Sequence, residues 1–285
     1  MKKLSAQQSS GVALIAVLWL VSAMGLIITG VVKSVRSEVR TVGLQRQAVI
    51  ANASADAAIL LALQHLHAYK IEPKSVIQVV PVQFEGSTRE VSVIPLNGLI
   101  NLNQASVGLL ADMYRYEAEL SPEVAQALAQ ATLDYRQLKN AKGQQQGFDA
   151  KEDLLRVPTM SYDRYAKVVS SVTVDLRETS GRVNPLAAPS GVLKILTAGD
   201  VARAAVLESR RHVDPSAIDT TLIKPEHIEM TSSRSLRLQV QIDLPGGGTA
   251  ARLWHVYWGE DPRSGLPWRV LSTQQSLQAA IQPAG

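Results

Sequence analysis

The hydrophobic pattern is uneven along the chain. Val12 to Val32, VALIAVLWLVSAMGLIITGVV, is a run of twenty-one residues without a charge. As a helix rising about 1.5 Å per residue, such a run covers the roughly 30 Å hydrocarbon core of a bilayer. Ser22 and Thr29 can bond back to the preceding turn, and Gly25 and Gly30 are tolerated in a membrane helix. The run is preceded by MKKLSAQQSSG, which is polar, carries Lys2 and Lys3 and has no acid. It passes without proline or turn into a stretch rich in Ala, Leu, Gln and Arg, which predicts one continuous helix from Val12 to about Tyr69.

Beyond that helix the period changes. SVIQVVPVQFE and STREVSVIPL read as two strands joined near Gly86-Ser87. From Asn101 to about Lys167 apolar residues recur at three- and four-residue spacing, which predicts helices. Ser121-Pro122 and Ser161 stand as helix starts. From Ser235 the spacing drops to two in SLRLQVQIDL, ARLWHVYWG and WRVLSTQQ, an antiparallel meander. The tail SLQAAIQPAG reads as peripheral. Two segments repeat at a constant offset of 83 residues. Gly98, Asn101, Ala105, Gly108, Leu110 and Met113 align with Gly181, Asn184, Ala188, Gly191, Leu193 and Leu196. Each copy is expected to be a turn braced by its Asn and followed by a helix.

Three readings compete for the N-terminus: a cleaved secretory signal, a signal anchor, and a prepilin. A secretory signal has a shorter apolar stretch and a small-residue cleavage site. In a prepilin a short basic leader ends in Gly and is cut before the apolar run. Gly11 followed by Val12 and the unbroken helix fit that third pattern. Topology then follows from the leader, with the N-terminus in the cytoplasm and Lys33 onward outside. The positive-inside count is indecisive, because Lys33, Arg36 and Arg40 flank the other end. Most pilins and pseudopilins carry Glu as the fifth mature residue, where it meets a neighbour's terminal amine. Here the fifth residue is Ala16. A carboxylate in lipid is costly without a partner. Its absence points to a subunit with no neighbour above it, at a cap or tip.

Taken together, the chain resembles the type II secretion minor pseudopilins of the K type. The resemblance rests on GVALIAVLWLV with Ala16 in place of an acid, on the paired GLINLNQAS and GRVNPLAAP, on GFDAKEDLLRV before a helix, and on the closing meander. It implies an α+β, pilin-like fold: a long N-terminal transmembrane and stem helix, an antiparallel sheet and a large inserted helical domain. The implied boundaries are a leader over 1–11, a transmembrane half over 12–32 and a periplasmic half of the stem over 33–70. A body follows over 71–100 and 228–275, and the insert with its two repeats occupies 101–227. The implied partners are I- and J-type minor pseudopilins, the major pseudopilin, prepilin peptidase and the inner membrane. The implied location is single-pass in the inner membrane with the bulk of the chain in the periplasm, and methylation accompanies processing. Some members bind calcium through an acidic loop in the insert. The matching segment here, LDYRQLKNAKGQQQGF, offers Asp134 and then no acid until Asp149. Calcium needs several oxygen ligands, so no metal and no cofactor is expected. Asp149, Glu152 and Asp153 read instead as acids at a helix start.

Composition narrows the rest. Lys and Arg number 29 against 25 Asp and Glu, and 27 against 25 without the leader lysines, a weak footprint for nucleic acid. The first repeat has no basic residue and the second has Arg182 and Lys194, so a DNA-binding helical hairpin is not expected. There is no cysteine, which excludes disulfides and thiolate chemistry. His65 and His67 lie two apart on a helix and face different ways. His212, His227 and His255 have no partner motif, and no hydrolase, metalloprotease or phosphate-loop signature is present. An enzyme is therefore not expected. PGGGT from Pro245 reads as a hairpin turn. Trp254 and Trp258 share one face of a strand with Tyr257 opposite, as core or as a partner face. A minor pilin of a type IV pilus or competence filament is the alternative function.

Overall fold

The computed structural model describes residues 9–72, 75–139, 143, 145–175, 180–213, 218–243 and 249–278. Helix α1 runs unbroken from Ser9 to Ala68. Its second half is amphipathic in register. Ala51, Ala55, Ala58, Ala62 and Leu66 fall three or four residues apart and are all buried. Ile59 and Leu63 fill the rows between them. This face lies on a five-stranded antiparallel sheet of order β1-β2-β5-β6-β7.

The strands are β1 (Gln78–Phe84), β2 (Ser87–Pro95), β5 (Ser235–Asp243), β6 (Thr249–Trp258) and β7 (Trp268–Gln278). Alternation puts Val80, Val82, Val91 and Val93 against α1, with Leu238 and Val256. Trp254 and Trp258 share that buried face, and Trp258 stacks on Trp268 at 6.4 Å. All three of these tryptophans therefore belong to the core. Asp56 of α1 pins the helix to β6. It accepts from Arg252 Nε at 2.6 Å, Arg252 Nη2 at 3.1 Å and Trp254 Nε1 at 2.7 Å. The meander extends further than the sequence pattern indicated. β7 continues through Ser276 and Leu277, which pair with Ala251 and Ala250. A register shift at His255/Val256 accommodates the extra residue in β7.

A second core is built between β2 and β5 in sequence. Leu99, Ile100, Leu109, Leu128, Leu154 and Val192 are among its buried members. Its helices are α2 (Val107–Tyr116), α3 (Pro122–Gln137), α4 (Tyr162–Val168), α5 (Ser190–Leu196) and α6 (Val201–Val213). Ser106, Ser121 and Ser161 cap α2, α3 and α4 by accepting from Leu109, Val124 and Arg164 N–H groups. Two features depart from an all-helical reading of this region. Lys151–Arg156 is a 3-10 helix, with Glu152 and Asp153 in its first turn. Two-residue strands β3 (Ile100–Asn101) and β4 (Val172–Thr173) pair in parallel. Runs this short carry no readable period.

Candidate functional site: the anchor helix and the duplicated insert

Every described side chain from Leu14 to Val32 is exposed. Leu14 and Trp19 are each 74% exposed. A helix apolar all round with no protein against it fits a membrane span. Val31–Ala68 is also long and apolar enough to cross a bilayer. That stretch carries Lys33, Arg36, Glu38 and Arg40, and its apolar face is occupied by the sheet. Among the described residues the exposed N-terminal run is therefore the stretch that fits a single-pass anchor. Gly11 and Val12 lie in the first turns of α1 with side chains outside the described residues, and Ala16 is exposed one turn further on. Lys2 and Lys3 lie outside the described residues.

The repeat turns come together in the insert. A Cβ on Gly98 would overlap the carbonyl oxygen of Ala187, and a Cβ on Gly181 would overlap that of Gln104. Gln104 and Ala187 are themselves equivalent in the repeat, so the two turns touch reciprocally, each glycine under the other's backbone. Asn101 and Asn184 act alike. The Asn101 Oδ1 accepts from Asn103 N at 3.0 Å, and its Nδ2 donates to Asp175 O at 2.7 Å. The Asn184 Oδ1 accepts from Leu186 N at 3.0 Å, and its Nδ2 donates to Thr231 O at 3.2 Å and Ser75 O at 2.5 Å. Each Asn thus ties its turn to the segment that closes its own copy. That segment runs parallel to the turn in both: Ile100 N donates to Ser171 O at 2.9 Å, and Val183 N to His227 O at 2.8 Å.

A pair of arginines completes the match. Arg136 Nη1 donates to Leu102 O at 3.2 Å and Ala105 O at 2.8 Å. Arg211 Nη1 donates to Pro185 O at 3.3 Å and to Ala188 O. These are the same carbonyls in the two copies. A constant offset misses the arginines, because α6 is shorter than α3 and the spacing from turn to clamp differs. Burial pushes both guanidinium pKa values down. Asn103, also missed, brackets Phe148. It accepts from Phe148 N at 2.8 Å and donates to Phe148 O at 2.9 Å, which closes the GFDAKEDLLRV segment on the first turn.

The remaining candidates are dispersed. The His65 ring lies tilted against Tyr69 at 4.6 Å and His67 meets Trp268 edge-on at 6.4 Å. His227 is buried, with Nε2 3.2 Å from Asp112 Oδ2, which also accepts from Lys224 Nζ at 2.6 Å. The side chain of His212 lies outside the described residues, as do residues 244–248 and 279–285. The first four residues of PGGGT are among these, and Thr249 pairs with Asp243. In the segment matching the calcium loop, Asp134 accepts from Gln130 at 2.9 Å, and Asn140, Ala141, Lys142 and Gln144 lie outside the described residues. Among the described residues no three His, Asp or Glu side chains are grouped to hold a metal.

No protein-family model and no curated protein matches the sequence. A solved structure does. The chain is similar to a chain of the GspK-GspI-GspJ complex from the type 2 secretion system of enterotoxigenic Escherichia coli. The TM-score is 0.52 at 15% identity, over 84% of this chain and 99% of that one. The chain has a GspK-like fold. The match over 84% of this chain draws on both cores, since neither alone reaches that share.

Proposed function

We propose that this chain is a minor pseudopilin that sits at the tip of a type II secretion pseudopilus. There it nucleates assembly with I- and J-type minor pseudopilins above the major pseudopilin and serves the export of folded proteins. It is a structural subunit and not an enzyme. It is cut after Gly11 by prepilin peptidase and held in the inner membrane by residues 12–32, with the sheet and insert in the periplasm. The observation that carries this reading is the GspK-like fold spanning 84% of the chain and joined to an exposed, charge-free N-terminal helix. Ala16 supports the tip position, since a subunit with no neighbour above it gains nothing from a carboxylate there.

The test is co-purification. The full chain, coexpressed with the I- and J-type minor pseudopilins of the same genome and extracted in mild detergent, is expected to elute as one complex with both. Elution without either would overturn the tip assignment. Processing has its own readout: coexpression with prepilin peptidase should leave Val12 as the first residue, and Gly11→Val should block the cut. Any other first residue refutes the assigned site.

A further inference from the structure

Three bases follow directly on the charge-free run of α1: Lys33, Arg36 and Arg40. Under the topology proposed above they lie on the outer side of the bilayer, where the usual charge bias of a membrane helix places few bases. Their spacing of three and then four residues sets them on one face of the helix, within about 60° of each other. Glu38 is the one acid between Lys33 and Asp56, and it falls on the opposite side. Val35 and Val42 fall on that side too, so the bases are segregated into a stripe and not scattered round the helix.

The protein supplies this stripe with no counter-charge. Lys33, Arg36 and Arg40 are exposed. Among the described residues none of them is in an ion pair. The next acid along the stem, Asp56, is held by Arg252 and Trp254 of β6. The level of the stripe along the helix is set by the apolar run. Residues 12–32 rise about 31 Å, the thickness of the hydrocarbon core. Lys33 to Arg40 then rises about 10 Å, which spans a headgroup layer of roughly 5–8 Å. Long basic side chains can bend back along their own helix to reach that layer.

We infer that Lys33, Arg36 and Arg40 form a docking stripe for the phosphate groups of anionic phospholipids in the leaflet from which the stem emerges. The inference rests on the membrane anchor proposed above. Ammonium and guanidinium groups donate charge-assisted hydrogen bonds to phosphate oxygens. A lipid of net negative charge is favoured over a zwitterionic one, because only the first leaves the leaflet surface negative. The stripe also fixes how deep the helix sits, since sliding α1 inward would carry three unpaired charges into hydrocarbon.

The test uses the full chain reconstituted in phosphatidylcholine bilayers, with trace spin-labelled phosphatidylglycerol or phosphatidylcholine and electron spin resonance to count lipid held at the protein. Lys2→Gln and Lys3→Gln form the background, so that the leader bases at the other leaflet do not contribute. Phosphatidylglycerol is expected to be preferred at least about fivefold, the worth of one such base near an anionic surface. The preference should collapse at about 1 M salt, where the screening length is about 3 Å. Adding Lys33→Gln, Arg36→Gln and Arg40→Gln should bring the two lipids to parity, and Glu38→Gln should not lower the preference. Equal retention of both lipids by the background chain, or a preference that survives the triple substitution, overturns the stripe and leaves the anchor standing. No retained lipid of either kind overturns the anchor itself. A preference abolished when I- and J-type partners bind, in a complex that the triple substitution dissociates, assigns the stripe to an acidic partner and overturns the lipid assignment.

Discussion

The two copies of the turn-and-hairpin unit share a skeleton and differ in nearly everything else. In both, a glycine lies under the other copy's backbone, an Asn brackets the turn, an Arg clamps two turn carbonyls, and a returning segment runs parallel to the start. The first copy reaches its return through the 3-10 helix and α4, whereas the second needs only Thr220–Leu222 and Pro225–His227. The first hairpin opens with a Ser106 cap, and the second opens at Pro189 with none. The residues held in common satisfy backbone groups, and the varied ones fill volume. Backbone polar groups at a buried turn tolerate few substitutes, whereas apolar filling tolerates many.

Substitutions in matched pairs are the direct way to break this comparison. Gly98→Ala and Gly181→Ala should each destabilise the insert by about 3 kcal/mol, the upper end of overpacking, because the obstacle is backbone that cannot rotate away. Urea denaturation of both variants should give similar losses. A copy that tolerates its alanine ends the claim of reciprocal contact. Next come the clamps. Arg211 is 6% exposed and Arg136 is half-buried. Arg211→Met should therefore cost about 2–3 kcal/mol, and Arg136→Met about half that, since water reaches the first pair of carbonyls. Equal losses would show that burial does not separate the copies.

Asp112 joins the copies to each other, from α2 to the segment that closes the second. Burial alone would raise its carboxyl pKa, but hydrogen bonds and charge from His227 and Lys224 outweigh burial and hold it below the usual value. A depressed carboxyl pKa stabilises the fold above the unfolded value near ~4, and that contribution fades as pH falls through the lower folded value. Asp112→Asn should cost about 1–2 kcal/mol at pH 7. The gap to wild type should stay flat down to about pH 5 and shrink below about pH 4. A gap that widens in acid would reverse the sign. Smallest is Ser106→Ala, about 1 kcal/mol for a lost cap, with no matching loss on Pro189→Ala.

The sequence carried the anchor, the sheet and the repeat well, for different reasons. A charge-free run of bilayer length and a period of two are long-range signals that survive local variation. Gly98, Asn101, Gly181 and Asn184 were visible because the repeat keeps them in phase. Arg136 and Arg211 were not, because loop lengths between the helices differ. The cavity where the insert meets the sheet was illegible too. Lys151, Asp175 and His255 come from three separate segments, and only the docking of the insert on the sheet brings them together.

The helix that joins the exposed apolar run to the sheet is about 90 Å long, and no proline interrupts it between Ser9 and Ala68. Its far end is fixed to the sheet by Asp56 and by a row of alanines that leave no slack between the two surfaces. A rod of this kind has no joint at which motion is lost. Any axial displacement of its N-terminal end would therefore reach the sheet undiminished, through one uninterrupted helix.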